Sequence, residues 1–532
     1  MTNRSIIDVL IVGAGPVGLT LAVDLGRRGI ACRIIDREPT YHLGTRARGV
    51  SSRTLEIFDD LGIIKQLFAC AEPYLAWRFY GRDNQIVRET TIPTDIDPIT
   101  ISKPDVPYPF PPVISQQHTE AVLRKALASH GVHVELGCQL ASFIQRHDHV
   151  IATVQCADKS EEIQARYLIG CDGGSSTVRK CAGIAFAGET WDDDPHFVSN
   201  VRVSGLDPNY WHFWTDPVRG RLAMHPMVHS DTWFCAGGIS LDENGMLPAP
   251  TLETLQRTFD ERAGMPGVQL HHLTWMSVYR LNIRMVDRYR DGRVLLAGDA
   301  AHIHSAAGGQ GMQTGILDAY NLGWKLAYVL KGAPDTLLDT YQEERLPIAQ
   351  RVLVTSTAQH RAFSQPDPGG ASGVQAITDL AQGKGPIVDM TQLSIAYRDS
   401  RLSRDLDDTT DIRAGDRAPD APCIRADSGE MIRLFSLFRG THFTLLIFGN
   451  RPIPQIPDEY LKHLHLYTIV HTGDTFISTS NRTLVDSDGH AHRAYGITGD
   501  ALILVRPDGY VGLTGGSVGQ ETVIDYLRDI IG

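Results

Sequence analysis

The chain has 532 residues, of which 42% are apolar, and a formal net charge of −12. That length is enough for about three domains, and the acidic balance argues against nucleic-acid binding, which usually presents a basic face. No apolar run approaches the roughly 18 residues that a membrane helix needs: the segment Val9–Val23 is broken by Gly13, Gly15, Pro16 and Gly18, and no cleavable signal is expected before it. The eight cysteines (Cys32, Cys70, Cys138, Cys156, Cys171, Cys181, Cys235, Cys423) form no CxxC. They are expected as free thiols of a cytoplasmic protein in a reducing compartment.

Asp8–Val12 reads as a buried strand and runs straight into Gly13-Ala14-Gly15-Pro16-Val17-Gly18. Leu19 to Arg28 then reads as a helix ended by Gly29, and Ala31–Ile35 as a second strand closing on Asp36. This is GxGxxG in its β–α–β setting: the glycines allow a tight turn, approach of a pyrophosphate and close helix–strand packing, and the acidic residue can accept from ribose hydroxyls. At this point FAD and NAD remain open. A basic loop follows, with Arg46, Arg48 and Arg53, leading into a helix marked by Leu55, Phe58 and Leu61. Its arginines face phosphate, substrate or solvent.

Pro73–Pro112 reads as an insertion, with an alternating segment Trp77-Arg78-Phe79-Tyr80 and a proline-rich tail. A helix opens at Ile114–Glu120, and strands are expected at Val132–Leu136, Val150–Val154 and Ala165–Cys171, the last ending in Asp172-Gly173. Between about 180 and 290, β-like runs carry Trp211, Phe213, Trp214, His225 and Trp233. These rings either roof a pocket for a flat substrate or fill a core.

Val294–Ala297 is a further strand, followed by Gly298-Asp299, a loop with Gly308, Gly309 and Gly311, and a helix from about Met312. An acidic residue at a strand's end beside a glycine-rich helix entry describes a cofactor seat. His302 and His304 have no third ligand at a supporting spacing, and no metal is expected. The charges of Asp339–Pro347 read as a solvated helix face, and Ser364–Gly373 as a linker. From Asp405 a small α/β unit begins, with strands at His442–Phe448, Leu464–Val470 and Ala501–Val505, a turn at Arg506-Pro507-Asp508-Gly509 and a helix at Gln520–Ile531. It lacks CxxC, so dithiol chemistry is not expected there.

The ordered set of GxGxxG, Asp172-Gly173 and Gly298-Asp299 with its glycine loop resembles the single-component FAD-dependent aromatic hydroxylases of the para-hydroxybenzoate hydroxylase and phenol hydroxylase group, over residues 5 to about 355. The C-terminal unit, Arg46-Ala47-Arg48-Gly49 and Arg506–Gly509 resemble the branch containing phenol hydroxylase and the aromatic polyketide hydroxylases. The implied fold is α/β: a Rossmann-like FAD-binding domain (1–73, 114–179 and 286–400), an interleaved β-sheet substrate-binding domain (74–113 and 180–285) and a thioredoxin-like C-terminal domain (405–532). By the same resemblance, Gly13, Gly15, Pro16, Val17 and Gly18 would hold the FAD pyrophosphate, and Asp36, followed by Arg37, the adenosine ribose. Arg46 and Gln116 would lie along the ribityl chain and pyrophosphate, and Asp172-Gly173 would serve FAD and the transient approach of NAD(P)H. Gly298-Asp299 would bind the ribityl hydroxyls, and Gly308, Gly309, Gly311, Met312 and Gln313 would border the isoalloxazine. The family often has Pro-Pro where this chain has Ser305-Ala306, and Asn where it has Gln313.

The implied reaction is hydroxylation of a phenolic or polycyclic, polyketide-like aromatic. NAD(P)H reduces FAD, dioxygen adds at the flavin C4a, and the hydroperoxide delivers an OH equivalent. Epoxidation, Baeyer–Villiger insertion or rearrangement would use the same cycle. A flavin oxidase or dehydrogenase, and a non-catalytic flavoprotein that holds an aromatic ligand, are more distant readings. Trp211, Phe213, His225 and Trp233 are the substrate-binding candidates. A base is wanted for the phenol, and His225, Tyr210 and Tyr279 do not separate on sequence, so the catalytic residue stays unassigned. The expected assembly is a monomer or homodimer without nucleic-acid or membrane partners.

Overall fold

The structure is a computed structural model and describes residues 6–42, 44–73, 75–81, 83–90, 104–109, 111–157, 159–216, 219–228, 230–305, 309–364, 389–449, 453–472, 482–516 and 519–532. Gly308, Ala306 and the linker expected beyond Ser364 lie outside these residues. The described residues form three eight-stranded sheets.

In the first sheet, Ile7–Val12 lies at the centre, parallel to Cys32–Asp36 on one side and to Lys159–Gly170 on the other. Val294–Leu296 extends it, parallel to Lys159–Gly170. Val9 to Val12 are all buried, as expected of a strand covered by helices on both faces. The helix Pro16–Arg27 leaves the first strand with Pro16 in its first turn and packs on the helix Gly311–Leu330. Proline suits that position, because the first turn has no partner for its missing N–H. The carboxyl ends of Ile7–Val12, Cys32–Asp36, Lys159–Gly170 and Val294–Leu296 thus open onto one edge, where ligands of parallel sheets bind.

In the second sheet, the long strands Phe186–Ser204 and Gln269–Val286 pair antiparallel, followed by Trp233–Gly238, Gly220–Pro226, Tyr210–Asp216, Ala76–Tyr80 and Ile86–Thr90. One face packs on the helix Leu252–Ala263 through Trp214, Leu222, Met224, Leu255 and Phe259. The other face looks toward the first sheet: the Thr45 amide donates to Asn200 Oδ1 at 2.8 Å.

The third sheet runs from Arg404–Asp405 through Val511–Gly515, Ala501–Val505, Phe443–Phe448, Leu464–His471, Thr483–Asp486 and Pro422–Arg425 to Met431–Arg433. Alternation splits its sides. Leu445, Ile447, Leu502 and Leu504 join the core that contains Leu322 and Trp324, whereas Leu446, Phe448, Ile503 and Val505 form a core with Tyr495.

Two expectations are corrected. Cys138 and Cys156 stand opposite each other in an antiparallel pair and are joined by a disulfide; the other six cysteines are free. Directly opposed residues bring their Cβ atoms close enough for this bond. The charges near Tyr341 are not all solvated, because Glu344 and Arg345 are buried. Arg506 Nη1 donates to Glu344 Oε1 at 2.7 Å, Lys325 Nζ to Glu344 Oε2 at 2.7 Å, and Trp324 Nε1 to Asp508 Oδ2 at 3.0 Å. The turn Arg506–Gly509 is therefore inserted against the helices of the first sheet. Among the described residues no helix is long and apolar enough to cross a membrane.

Candidate functional site

The turn after the first strand is shaped by contact. A Cβ on Gly13, whose φ is +101°, would lie 2.3 Å from the Cys171 carbonyl oxygen, and one on Gly18 2.0 Å from that of Gly13. Gly15 differs: a Cβ there would meet nothing within 4 Å. It caps the helix Pro16–Arg27 without a side-chain bond, so first-turn amides face open space at the helix's positive end. Asp36 closes this corner, its Oδ2 accepting from the Ala14 amide at 2.7 Å and its Oδ1 from the Glu38 amide at 2.9 Å. Each oxygen retains a lone pair. Arg37 is exposed beside Glu38. Val17 packs against Gly298, where a Cβ would come within 2.8 Å of Val17 Cγ2.

Asp299 follows, exposed at its surface yet so enclosed by surrounding protein that burial pushes its carboxyl up, with His302 and Arg46 opposing. Arg46 is itself exposed, 6.0 Å from the Trp275 ring. Gln116 Nε2 donates to Glu120 Oε1 at 2.8 Å, and burial raises the Glu120 carboxyl against the pull of Gln116, Arg124 and Arg46. Asp36 adds to that rise, so Arg46, Gln116, Asp36 and Asp299 share one electrostatic neighbourhood. Asp172 turns the other way: its carboxylate accepts from Ser176 Oγ at 2.5 Å and from the Thr177 amide at 2.6 Å. It caps its own short helix, with Gly173 beside it at φ +74°.

The helix Gly311–Leu330 begins after Gly309, also without a side-chain cap, and carries Met312 and Gln313 in its first turn. Gln313 Nε2 donates to the Gly49 carbonyl at 2.7 Å, and its buried Oε1 has no partner among the described residues. His302 Nε2 pairs with Asp318 Oδ2 at 2.8 Å, whereas His304 Nδ1 donates to the Ser305 carbonyl at 2.8 Å. The two histidines face different partners. Burial pushes His304 down to about 4, and its Nε2 is also without a partner among the described residues.

The second sheet's inward face carries the rings. Trp77 stacks on Trp211 at 5.7 Å, Phe79 on Phe213 at 5.2 Å, and His225 on Trp211 at 4.4 Å. Arg48 lies 5.6 Å from the Trp211 ring and 5.8 Å from Phe234, pairs with Glu72, and leaves Nε and Nη1 buried without partners among the described residues. Burial drives His225 well below the ordinary imidazole value, with Arg48 assisting. A neutral His225 with an unpartnered Nε2 can donate to or accept from a ligand. Trp233 is separated from these rings. It belongs to the core beneath the helix Leu252–Ala263, on the opposite face. Tyr210 is also turned away, donating to Glu89 Oε1 at 3.0 Å. Trp77, Phe79 and Phe234 were not among the sequence candidates. The signal for the first two is the alternation Trp77/Phe79, which matches Trp211/Phe213 in parallel register.

Residues 6–356 match the family described as FAD binding domain. A flavin-dependent monooxygenase of Mycobacteroides abscessus is 39% identical over 528 residues, covering 98% of this chain and 100% of the relative. The 6-methylpretetramide 4-monooxygenase of Streptomyces rimosus is 31% identical, covering 98% of this chain and 93% of its own. Aklavinone-11 hydroxylase, solved as a ternary complex with FAD and aklavinone, superposes with a TM-score of 0.80 at 25% identity over 100% of both chains.

Proposed function

The chain belongs to the FAD binding domain family, and from that premise we propose that this FAD-dependent monooxygenase hydroxylates a polycyclic, polyketide-like phenol using NAD(P)H and dioxygen. The observation that carries the substrate class is the wall Trp77, Phe79, Trp211, Phe213 and His225, with Arg48 beside it. Stacked rings favour a flat aromatic, and a guanidinium with two unpartnered nitrogens favours an oxygen-rich or anionic rim. Trp233 is left out of this wall.

The residues present fit FAD. By this reading a pyrophosphate would use the room left at Gly15, Asp36 and Asp299 would accept from sugar and ribityl hydroxyls, and Gln313 Oε1, which has no partner among the described residues, would offer a further acceptor. When bound, FAD supplies electron uptake from NAD(P)H and activation of dioxygen. The chain's residues do the rest. The amides opening the helix Gly311–Leu330 stabilise negative charge at its N-terminus, Gln313 holds the Gly49 loop against that helix, and the aromatic wall excludes water that would divert the reaction to peroxide. Asp172, committed to its own helix, acts by holding the Gly173 turn rather than by direct contact.

We also read the three sheets as the three domains expected above, the C-terminal one thioredoxin-like, and a soluble monomer or homodimer as the working form. Purified protein should be yellow. A panel of polycyclic phenols should contain compounds that stimulate NAD(P)H oxidation, with one atom of labelled dioxygen in the product and little peroxide. Stimulated oxidation that yields only peroxide and unchanged phenol would overturn the hydroxylase reading.

A further inference from the structure

The long strands Phe186–Ser204 and Gln269–Val286 lose register between Arg280 and Leu281, leaving residues 192–194 unpaired. Such irregularities re-aim side chains. Just beyond, His196 pairs with Tyr279 on one side and Gly238 on the other. Strand parity puts it on the face of Asn200, which lies opposite Phe234 and next but one to His225. His196 therefore shares the inward face with the aromatic wall.

Around it the polar groups interlock. His196 Nε2 lies 3.1 Å from Asp194 Oδ1, and His360 Nε2 lies 2.8 Å from Asp194 Oδ2. His360 Nδ1 lies 3.0 Å from Ser305 Oγ, so this buried imidazole is held at both nitrogens. Ser305 stands where the resembling family often has proline. His196 meets Asp194 through Nε2 at ion-pair distance but without hydrogen-bond alignment; 22% of its side chain is exposed, and its Nδ1 has no partner among the described residues. The imidazoles of His196 and His360 keep the Asp194 carboxyl well below the usual carboxylate range. Arg221, Arg262 and Tyr279 are the other charged or titratable groups facing Asp194. Burial pushes Tyr279 up to about 12, which keeps it protonated at neutral pH.

We propose that His196 is the base for the substrate's phenolic hydroxyl, oriented by Asp194, which His360 anchors to Ser305. The proposal rests on the phenol hydroxylase reading above. In the step, the phenol O–H breaks, the oxygen keeps the electron pair, and the proton bonds to His196 Nδ1. The imidazolium is stabilised by Asp194, and its proton passes to water when product leaves. His196 touches the substrate; Asp194 and His360 are positioning residues.

The test uses FAD-loaded wild type, His196→Gln and Asp194→Asn with quinizarin, a polycyclic phenol whose band moves to the red, beyond flavin absorption, when it ionises. Wild type should bind quinizarin at neutral pH with the red-shifted band. His196→Gln should bind it with an ionised fraction at least about tenfold lower, and Asp194→Asn should require higher pH for the same shift. Bound quinizarin that stays neutral in wild type, or ionises equally in His196→Gln, overturns the base assignment alone. Wild type that holds FAD but binds no quinizarin overturns the substrate class and the base with it, and failure to hold FAD overturns the flavoprotein reading. Uptake of Co²⁺ with visible bands that vanish in His196→Gln would make Asp194, His196 and His360 a metal site and also overturn the base.

Discussion

At the scale of single residues, the glycines of the first turn divide into two kinds that one motif does not separate. Gly18 has no space for a methyl, whereas Gly15 has open space where the cofactor would approach. Gly18→Ala should therefore cost about 1–3 kcal/mol of stability through overpacking, read from a denaturant titration. Gly15→Ala should keep its unfolding midpoint and lose about tenfold or more in FAD affinity, about 1.4 kcal/mol. Equal loss of stability in both would contradict this division. His304 gives a pH signature. Its folded value of about 4 lies below the ordinary 6.5, so between these values the unfolded chain takes up a proton that the folded chain refuses. Its stabilisation is complete above pH 6.5 and is lost as pH falls toward 4, on the order of 3 kcal/mol. Urea midpoints near neutrality and near about pH 5 should differ less in His304→Gln than in wild type. The GxGxxG turn was legible because its steric demands are local. The link from Ser305 through His360 to Asp194 was not, because it joins three distant segments and depends on a register shift.

At the scale of elements, strand parity decides which aromatics do what. The alternation of Trp211 and Phe213 was readable, and these two rings do share a face. Trp233 looked equivalent, but its face depends on how its strand pairs, with Trp233 opposite Pro226 and His225 opposite Phe234. That pairing register is not written in either segment alone. Both tryptophans are buried, so the two should differ in ligand binding rather than in stability. Trp233→Ala should destabilise by about 3–5 kcal/mol. Trp211→Ala should also destabilise, because its ring is buried between Trp77 and His225, and should in addition lose binding of polycyclic phenols by about tenfold or more, measured by fluorescence quenching. A large stability loss in Trp211→Ala with phenol binding intact would assign it to the core.

At the scale of the whole molecule, the turn Arg506–Gly509 determines how the third sheet is attached. Sequence suggested a separate unit after Asp405, and the strands that follow form the third sheet. Its attachment is not that of a tethered module, because Leu445, Ile447, Leu502 and Leu504 share a core with Leu322 and Trp324. Within that shared core, Glu344 neutralises both Arg506 and Lys325, and Lys325 is pushed down to about 8 by burial. Removing one member of a buried ionic cluster strands the others without solvent. Glu344→Gln keeps the size and removes the charge, leaving two buried cations against Asp508 alone, and it should cost about 3–5 kcal/mol. Because the core is continuous, that cost should appear in one cooperative transition that shifts as a whole. Calorimetry of the full chain would decide: a single endotherm moving to lower temperature in Glu344→Gln is expected. Two endotherms in wild type, with only one shifted by the substitution, would mean that the third sheet unfolds independently and that its buried charges act locally.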